Sequence, residues 1–180
     1  MIHIVEIAFN HERKQFTDQI EMKIKYNAIE TLQNDVSFKI AYVFDPQQPK
    51  YDQELEELSI GPIPQGVGEF TITCDPPKLD NVPVELVYGV QVLTLTMSYE
   101  GQEFCHIGYY VNTSYKYEIT FEEDDNGHLS FVFPENHPII ADLVRVIHDD
   151  KPRVTRKQIE WQTPSNGQSA LNTNASAMQQ

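Results

Sequence analysis

Cysteine is nearly absent from this chain. Only Cys74 and Cys105 occur in 180 residues, far apart and without metal-ligand spacing. A disulfide-stapled secreted scaffold is thereby excluded, and two unpaired buried thiols in a reducing compartment are expected. Basic residues are scarce as well: 13 Lys and Arg stand against 27 Asp and Glu, a formal charge of -14. A surface of that sign repels a phosphate backbone, so direct DNA binding is not expected and a basic protein partner fits better. No apolar run approaches the roughly 20 residues of a membrane-spanning helix, and no membrane association is expected. The opening MIHIVEIAFNHERK has no basic leader and no small-residue cleavage site, so it is not read as a signal peptide. These absences point to the nucleus or cytoplasm.

Enzyme signatures are missing too. There is no G-x-S-x-G and no H-E-x-x-H, and GPIPQGVG (61–68) is interrupted by prolines and lacks the lysine of a phosphate loop. The histidines are scattered at positions 3, 11, 106, 128, 137 and 148. EEDDNGH (122–128) is acidic but lacks the alternating ligands and closing glutamate of a calcium loop, and reads as a hairpin tip. No catalytic residue, metal ligand or cofactor is therefore assigned.

What is present is strand texture. IEMKIKYNAI (20–29) alternates, with Ile20, Met22, Ile24 and Tyr26 on one side. VSFKIAYVF (36–44) is β-branched and aromatic and stops at DPQQP. EFTITC (69–74) alternates again, and DDNG (124–127) between YKYEITFEE and HLSFVF marks another hairpin. HPIIADLVRVIHDD (137–150) has helical spacing at Ile140, Leu143, Val144 and Ile147, which predicts the one short helix. PRVTRKQIEW (152–161) is expected to close as a strand, with Val154, Ile159 or Trp161 completing the core. Many short strands with frequent turns predict an all-β sandwich over residues 1–161. Residues 162–180, uncharged and almost without large apolar side chains, are expected to be a flexible polar tail.

The hairpin YGVQVLTLTMSY–EGQEFCHIGYYVN (88–112) is unusual because both of its faces carry large side chains. Gln91, Leu93, Leu95, Met97 and Tyr99 make the bulkier face of the first arm, matched by Cys105, Ile107, Tyr109 and Val111 in the second. Turning both inward leaves Val90, Val92, Thr94, Thr96, Phe104, His106 and Tyr110 outside. It also calls for an odd loop, Glu100-Gly101-Gln102, with Val92 opposite Tyr110 and Thr96 opposite His106. The outer apolar patch is either roofed by another segment, part of a second core layer, or a binding surface.

Three collinear stretches, YDQELEELSIGPIPQG, YEGQEFCHIGYYVN and KPRVTRKQIEW, closely resemble signature blocks of the anti-silencing-function histone chaperones. The resemblance covers residues 1–161. It implies an immunoglobulin-like β-sandwich that binds a dimer of histones three and four and passes it on in nucleosome assembly and disassembly, in the nucleus. It further implies that Val43, Val90, Val92 and Tyr110 form the apolar contact with a helix of histone three, with Asp52 and His106 at its rim. Pro152, Arg153 and Thr155 match positions that hold the C-terminal tail of histone four. Asp35, Leu58, Ile60 and Phe70 match a second surface, which receives peptides from partner chaperones. This chain departs from the family pattern in carrying His106 for the usual arginine, Leu86 and Asn34 for acids, and a longer segment at 116–137. A β-sandwich carrying a hydrophobic ligand between its sheets is the alternative reading.

Overall fold

The computed structural model describes residues 1–10 and 14–161, which leaves the predicted tail at 162–180 outside the described residues. Among the described residues there are eleven strands. They are β1 (Ile2–Phe9), β2 (Lys14–Gln15), β3 (Ile20–Ala28), β4 (Val36–Val43), β5 (Gln53–Ile60) and β6 (Gly66–Cys74). The second half adds β7 (Gly89–Tyr99), β8 (Gln102–Tyr115), β9 (Thr120–Glu123), β10 (Leu129–Val132) and β11 (Leu143–Arg156). Alternation of apolar and polar side chains with a period of two is clearest in β3, β4 and β7. A three-stranded sheet, β1-β3-β6, packs on a six-stranded sheet ordered β2-β11-β8-β7-β4-β5, while β9 and β10 form a separate ribbon. The fold is the expected all-β, immunoglobulin-like sandwich.

One core joins the two sheets. Met22, Ile24 and Ile72 from the small sheet meet Phe38, Ile40, Tyr42, Leu93, Leu95, Met97 and Tyr109 from the large one. Edge-to-face ring contacts cross between sheets at Phe9–Tyr109 and Phe38–Phe70, each with centroids 4.9 Å apart. The ligand-carrier alternative needs an enclosed chamber at this level, and these side chains occupy it. Cys74 and Cys105 are free and buried, as expected, and burial pushes the Cys74 thiol up to about 11.

Two expectations are corrected by the packing. The stretch with helical spacing contains only a 3-10 turn, Ile140–Asp142, before β11 begins at Leu143. Leu143, Val144 and Arg145 are buried in succession because this part of β11 is covered on both faces, so a two-sided strand imitates helical spacing. Arg145 tolerates burial by donating to the Phe16 and Asp18 carbonyls at 3.1 and 2.7 Å. At the other end, β11 stops at Arg156. Val154 is exposed, whereas Ile159 and Trp161 leave the sheet to pack on the core, with Trp161 stacked on Tyr99 at 5.2 Å.

The central hairpin has the expected register with a different turn. Val92 pairs with Tyr110 and Thr96 with His106, but the connection is a two-residue turn in which Glu100 and Gly101 have φ of 51° and 76°. Positive φ at both central positions gives the strands their right-handed twist. The extra residue is absorbed as a bulge at Phe104, between the Ser98–Glu103 and Met97–Cys105 pairs. Phe104 is consequently buried against Trp161 instead of facing outward.

Beneath β7 lies a buried polar node. Gln91 accepts hydrogen bonds from Thr113 (2.8 Å) and Tyr42 (3.3 Å) and donates to the Leu86 and Val87 carbonyls at 3.1 and 3.3 Å. These bonds fix the 3-10 turn Val84–Leu86 against the strand that carries Val90. Replacing the amide with a side chain of similar size leaves those partners unsatisfied. Gln91→Leu is expected to destabilise the fold by about 1–3 kcal/mol, read as a lower midpoint in denaturant unfolding.

Candidate functional site

Because the inward residues of β4, β7 and β8 are held by the core, their neighbours must face water on the outside of the large sheet. The ladders align these outer residues into rows across four strands. One row runs Val43, Val92, Tyr110, His148; the next runs Ala41, Thr94, Gly108, Arg153; a third runs Lys39, Thr96, His106, Thr155. Val90 lies beyond the first row, paired with Asn112. Val90 is 65% and Tyr110 42% exposed, and Val43 and Val92 are half-buried among their neighbours. The patch is not roofed by any of the described residues.

Its relief is set by one ridge and two hollows. Gly108 contributes no side chain, and an added Cβ there would sit 3.5 Å from Val92 and 4.0 Å from Arg153. The result is a depression of about 220 Å³ lined by Val92, His106, Gly108, Tyr110, Arg153 and Thr155. On the other side of Tyr110, Val90, Asn112, His148, Asp150, Lys151 and Arg153 line a second hollow of about 570 Å³. Gly108 and Asn112 are four residues apart on β8, about 13 Å, close to two turns of an α-helix at about 11 Å. A helix laid over Tyr110 can therefore drop a side chain into each hollow.

The rim differs from side to side. Asp52 precedes Gln53, which pairs with inward Tyr42, so by alternation Asp52 lies on the outer side near Val43. Partial burial pushes its carboxyl above the ordinary carboxylate value. Glu54 is ion-paired to Lys39 along the same edge. On the opposite side β11 bulges: Asp149, Asp150, Lys151 and Pro152 all fall opposite Tyr109, between the His148–Tyr110 and Arg153–Gly108 pairs. Pro152 sits in this bulge, where its missing N–H costs no ladder bond. β2 covers β11 only at Val144 and Arg145, so the strand's outer edge is open from Val146 onward among the described residues. His106 meets the Thr96 hydroxyl through Nδ1 at 2.9 Å, which leaves Nε2 without a protein partner among the described residues.

The structure thus brings Val43, Val90, Val92, His106, Tyr110, Arg153 and Thr155 together on one face, with Asp52 and Pro152 at its borders. Asp35, Leu58, Ile60 and Phe70 lie elsewhere. Leu58 and Ile60 pair with buried Phe38 and Val36 on edge strand β5, and Phe70 comes from β6, the facing edge of the small sheet. These three side chains are half-buried and pack against the core at the edge of the sandwich. Exposed Asp35 stands against Gly61, where an added Cβ would lie 2.4 Å from Asp35 Oδ1 and 2.8 Å from its Cα. Among the described residues no group of His, Cys, Asp and Glu could hold a metal ion.

A sequence profile of ASF1 like histone chaperones matches residues 1–162. The chain belongs to this family. It is 41% identical over 150 residues to the histone chaperone ASF1 of Coccidioides immitis, covering 83% of this chain and 52% of that protein. It is 40% identical over 148 residues to histone chaperone asf1 of Emericella nidulans, covering 82% and 50%. To the Saccharomyces cerevisiae histone chaperone ASF1 it is 33% identical over 167 residues, covering 93% and 56%. The chain spans about half the length of the curated relatives it matches. The family is one of chaperones and is not a class of enzymes.

Sequence reading missed Gly108, Asn112, His148 and Lys151 as parts of the outer hollows. A glycine inside a strand was the available signal, since it marks close approach of another chain. Asn112 followed from the hairpin register, opposite Val90, whereas His148 and Lys151 depend on the pairing and bulge of β11 against β8.

Asp45 holds the loop that places Asp52. Its carboxylate accepts from the Gln47 amide and the Gln48 side chain, each at 2.9 Å, which pulls its pKa below the ordinary 3.8. A depressed folded-state pKa makes the contribution to stability present above the unfolded value near 3.8 and lost as pH falls through the lower folded value. Thermal unfolding should show Asp45→Asn less stable than wild type at neutral pH, with the gap closing in acid; a gap independent of pH would contradict the assignment.

Proposed function

We propose that this protein is a non-enzymatic nuclear chaperone that binds a dimer of histones three and four and passes it on during nucleosome assembly and disassembly. The observation that carries the reading is the uncovered row Val43–Val92–Tyr110 with its two flanking hollows, on a chain of family-typical sequence. A helix of histone three lies over Tyr110, an amphipathic ring that loses little entropy on docking. Asp52 meets basic side chains of the histone, a charge pairing suited to a protein of net charge -14. The tail of histone four adds as a strand to the open edge of β11 near Arg153 and Thr155. His106, in place of arginine, offers one hydrogen bond without a forked, permanent charge. Peptides of partner chaperones lie against the half-buried Leu58, Ile60 and Phe70, with Asp35 pairing to a basic residue.

The physical work of such a chaperone is to cover an apolar and basic surface that would otherwise self-associate or bind DNA unproductively. Val92→Arg is expected to weaken binding of the histone dimer by at least about 30-fold while leaving the unfolding midpoint unchanged. Asp52→Ala should weaken it by about fivefold at most, as a rim charge does. Titration of both variants with the dimer checks the ranking, and equal or reversed effects would remove the apolar row as the dominant contact.

A further inference from the structure

The ribbon of β9 and β10 plays no part in the surfaces above. It is two strands with no third neighbour, and all eight of its residues are exposed. Such a hairpin is marginal in water unless something packs on it. Its root is anchored: Phe131 and Phe133 meet Tyr88 edge-to-face at 4.9 and 5.4 Å, and Phe133 stacks on His137 at 4.0 Å. Toward the tip the anchoring ends. Pairing of Phe121 with Phe131 and of Glu123 with Leu129 puts these four on one face, where Phe121 is 60% and Leu129 69% exposed.

The charge around this apolar face has one sign. Residues 116–137 hold six acids, Glu118, Glu122, Glu123, Asp124, Asp125 and Glu135, against the single Lys116. Asp124 is used to build the turn, accepting from the Asn126 and His128 amides at 2.8 and 2.9 Å. Glu122, Glu123 and Asp125 make no ion pair among the described residues. Ring faces interleaved with unpaired carboxylates suit lysine and arginine side chains, whose cationic heads lie over the rings or pair with the acids while their stems cover apolar surface. The same charge disfavours a second copy of this acidic chain as the occupant.

We propose that the β9–β10 ribbon is an accessory docking arm for a lysine- and arginine-rich polypeptide segment of the same basic partner. This rests on the histone reading above, and the position of the ribbon supports it. Tyr88, which anchors the ribbon, is two residues before Val90, a lining residue of the larger hollow, so the root of the ribbon is tied to the strand that borders that hollow. The arm adds apolar and charge-paired contact, and a marginal hairpin becomes ordered when it is covered.

The test uses the full chain titrated with the histone three–four dimer at low and moderate salt. A Phe121→Ser, Leu129→Ser double variant is expected to bind about fivefold to tenfold more weakly. A Glu122→Gln, Glu123→Gln, Asp125→Asn triple variant is expected to lose part of the salt dependence. Hydrogen exchange of wild-type amides 120–132 should slow on adding the dimer, a readout independent of any variant's folding. Wild-type affinity and salt dependence in both variants, with unchanged exchange, would overturn the arm. If Val92→Arg abolishes binding in the same assay while the ribbon variants do not weaken it, only the arm falls; if Val92→Arg also binds normally, the histone reading falls. Self-association that Phe121→Ser, Leu129→Ser abolishes would assign the face to a second copy and overturn the proposal.

Discussion

Everything about the outer surface follows from how tightly the inner faces of β4, β7 and β8 are held. Tyr42, Leu93, Leu95, Tyr109 and Val111 are fully or nearly fully buried, and a one-residue slip of any of these strands would move its whole set into water. The core therefore dictates the register, and the register dictates that Val43, Val92 and Tyr110 form a continuous row. The outer face is in this sense a by-product of core packing: the residues exposed on it are positioned by residues that never reach water.

Irregularities then shape a flat sheet into a surface with relief. The bulge at Phe104 keeps the hairpin's alternation in step with a tight turn, so Thr96 still faces His106. The larger bulge at Asp149–Pro152 lifts β11 away from the ladder and walls one hollow, while Gly108 opens the other. Both sit beside the strand edge that β2 leaves uncovered. An apolar ridge, two hollows and an open edge are close together because one strand, β11, is covered for its first residues and free afterwards. Leu58, Ile60 and Phe70 lie elsewhere, on the edge strands β5 and β6 of the two sheets.

Much of this was legible beforehand. Strict alternation in 20–29, 36–44 and 88–112 exposed the strands and their faces, and the pairing of Val92 with Tyr110 followed once both bulky faces were turned inward. Two signals misled. Consecutive burial at Leu143, Val144 and Arg145 imitated helical spacing, because a local pattern cannot distinguish a strand covered on both sides from a helix. Phe104 read as outward because a bulge reverses the alternation for one residue and leaves no mark in composition. The site residues at 152–155 came from family resemblance, since an exposed edge strand reads much like any other.

The sequence by itself determined the class of fold, the inward and outward sets of each long strand, the acidity of the surface and the membership of a chaperone family. Those properties depend on residue type and on spacing along a single strand, so they are written locally. Which outward sets become neighbours, which edge stays open, where the bulges fall and that the 116–137 ribbon stands apart from both sheets were decided only by tertiary structure. They depend on ladders between residues distant in the chain, as between Gly108 and Arg153, and no local pattern encodes such a pairing.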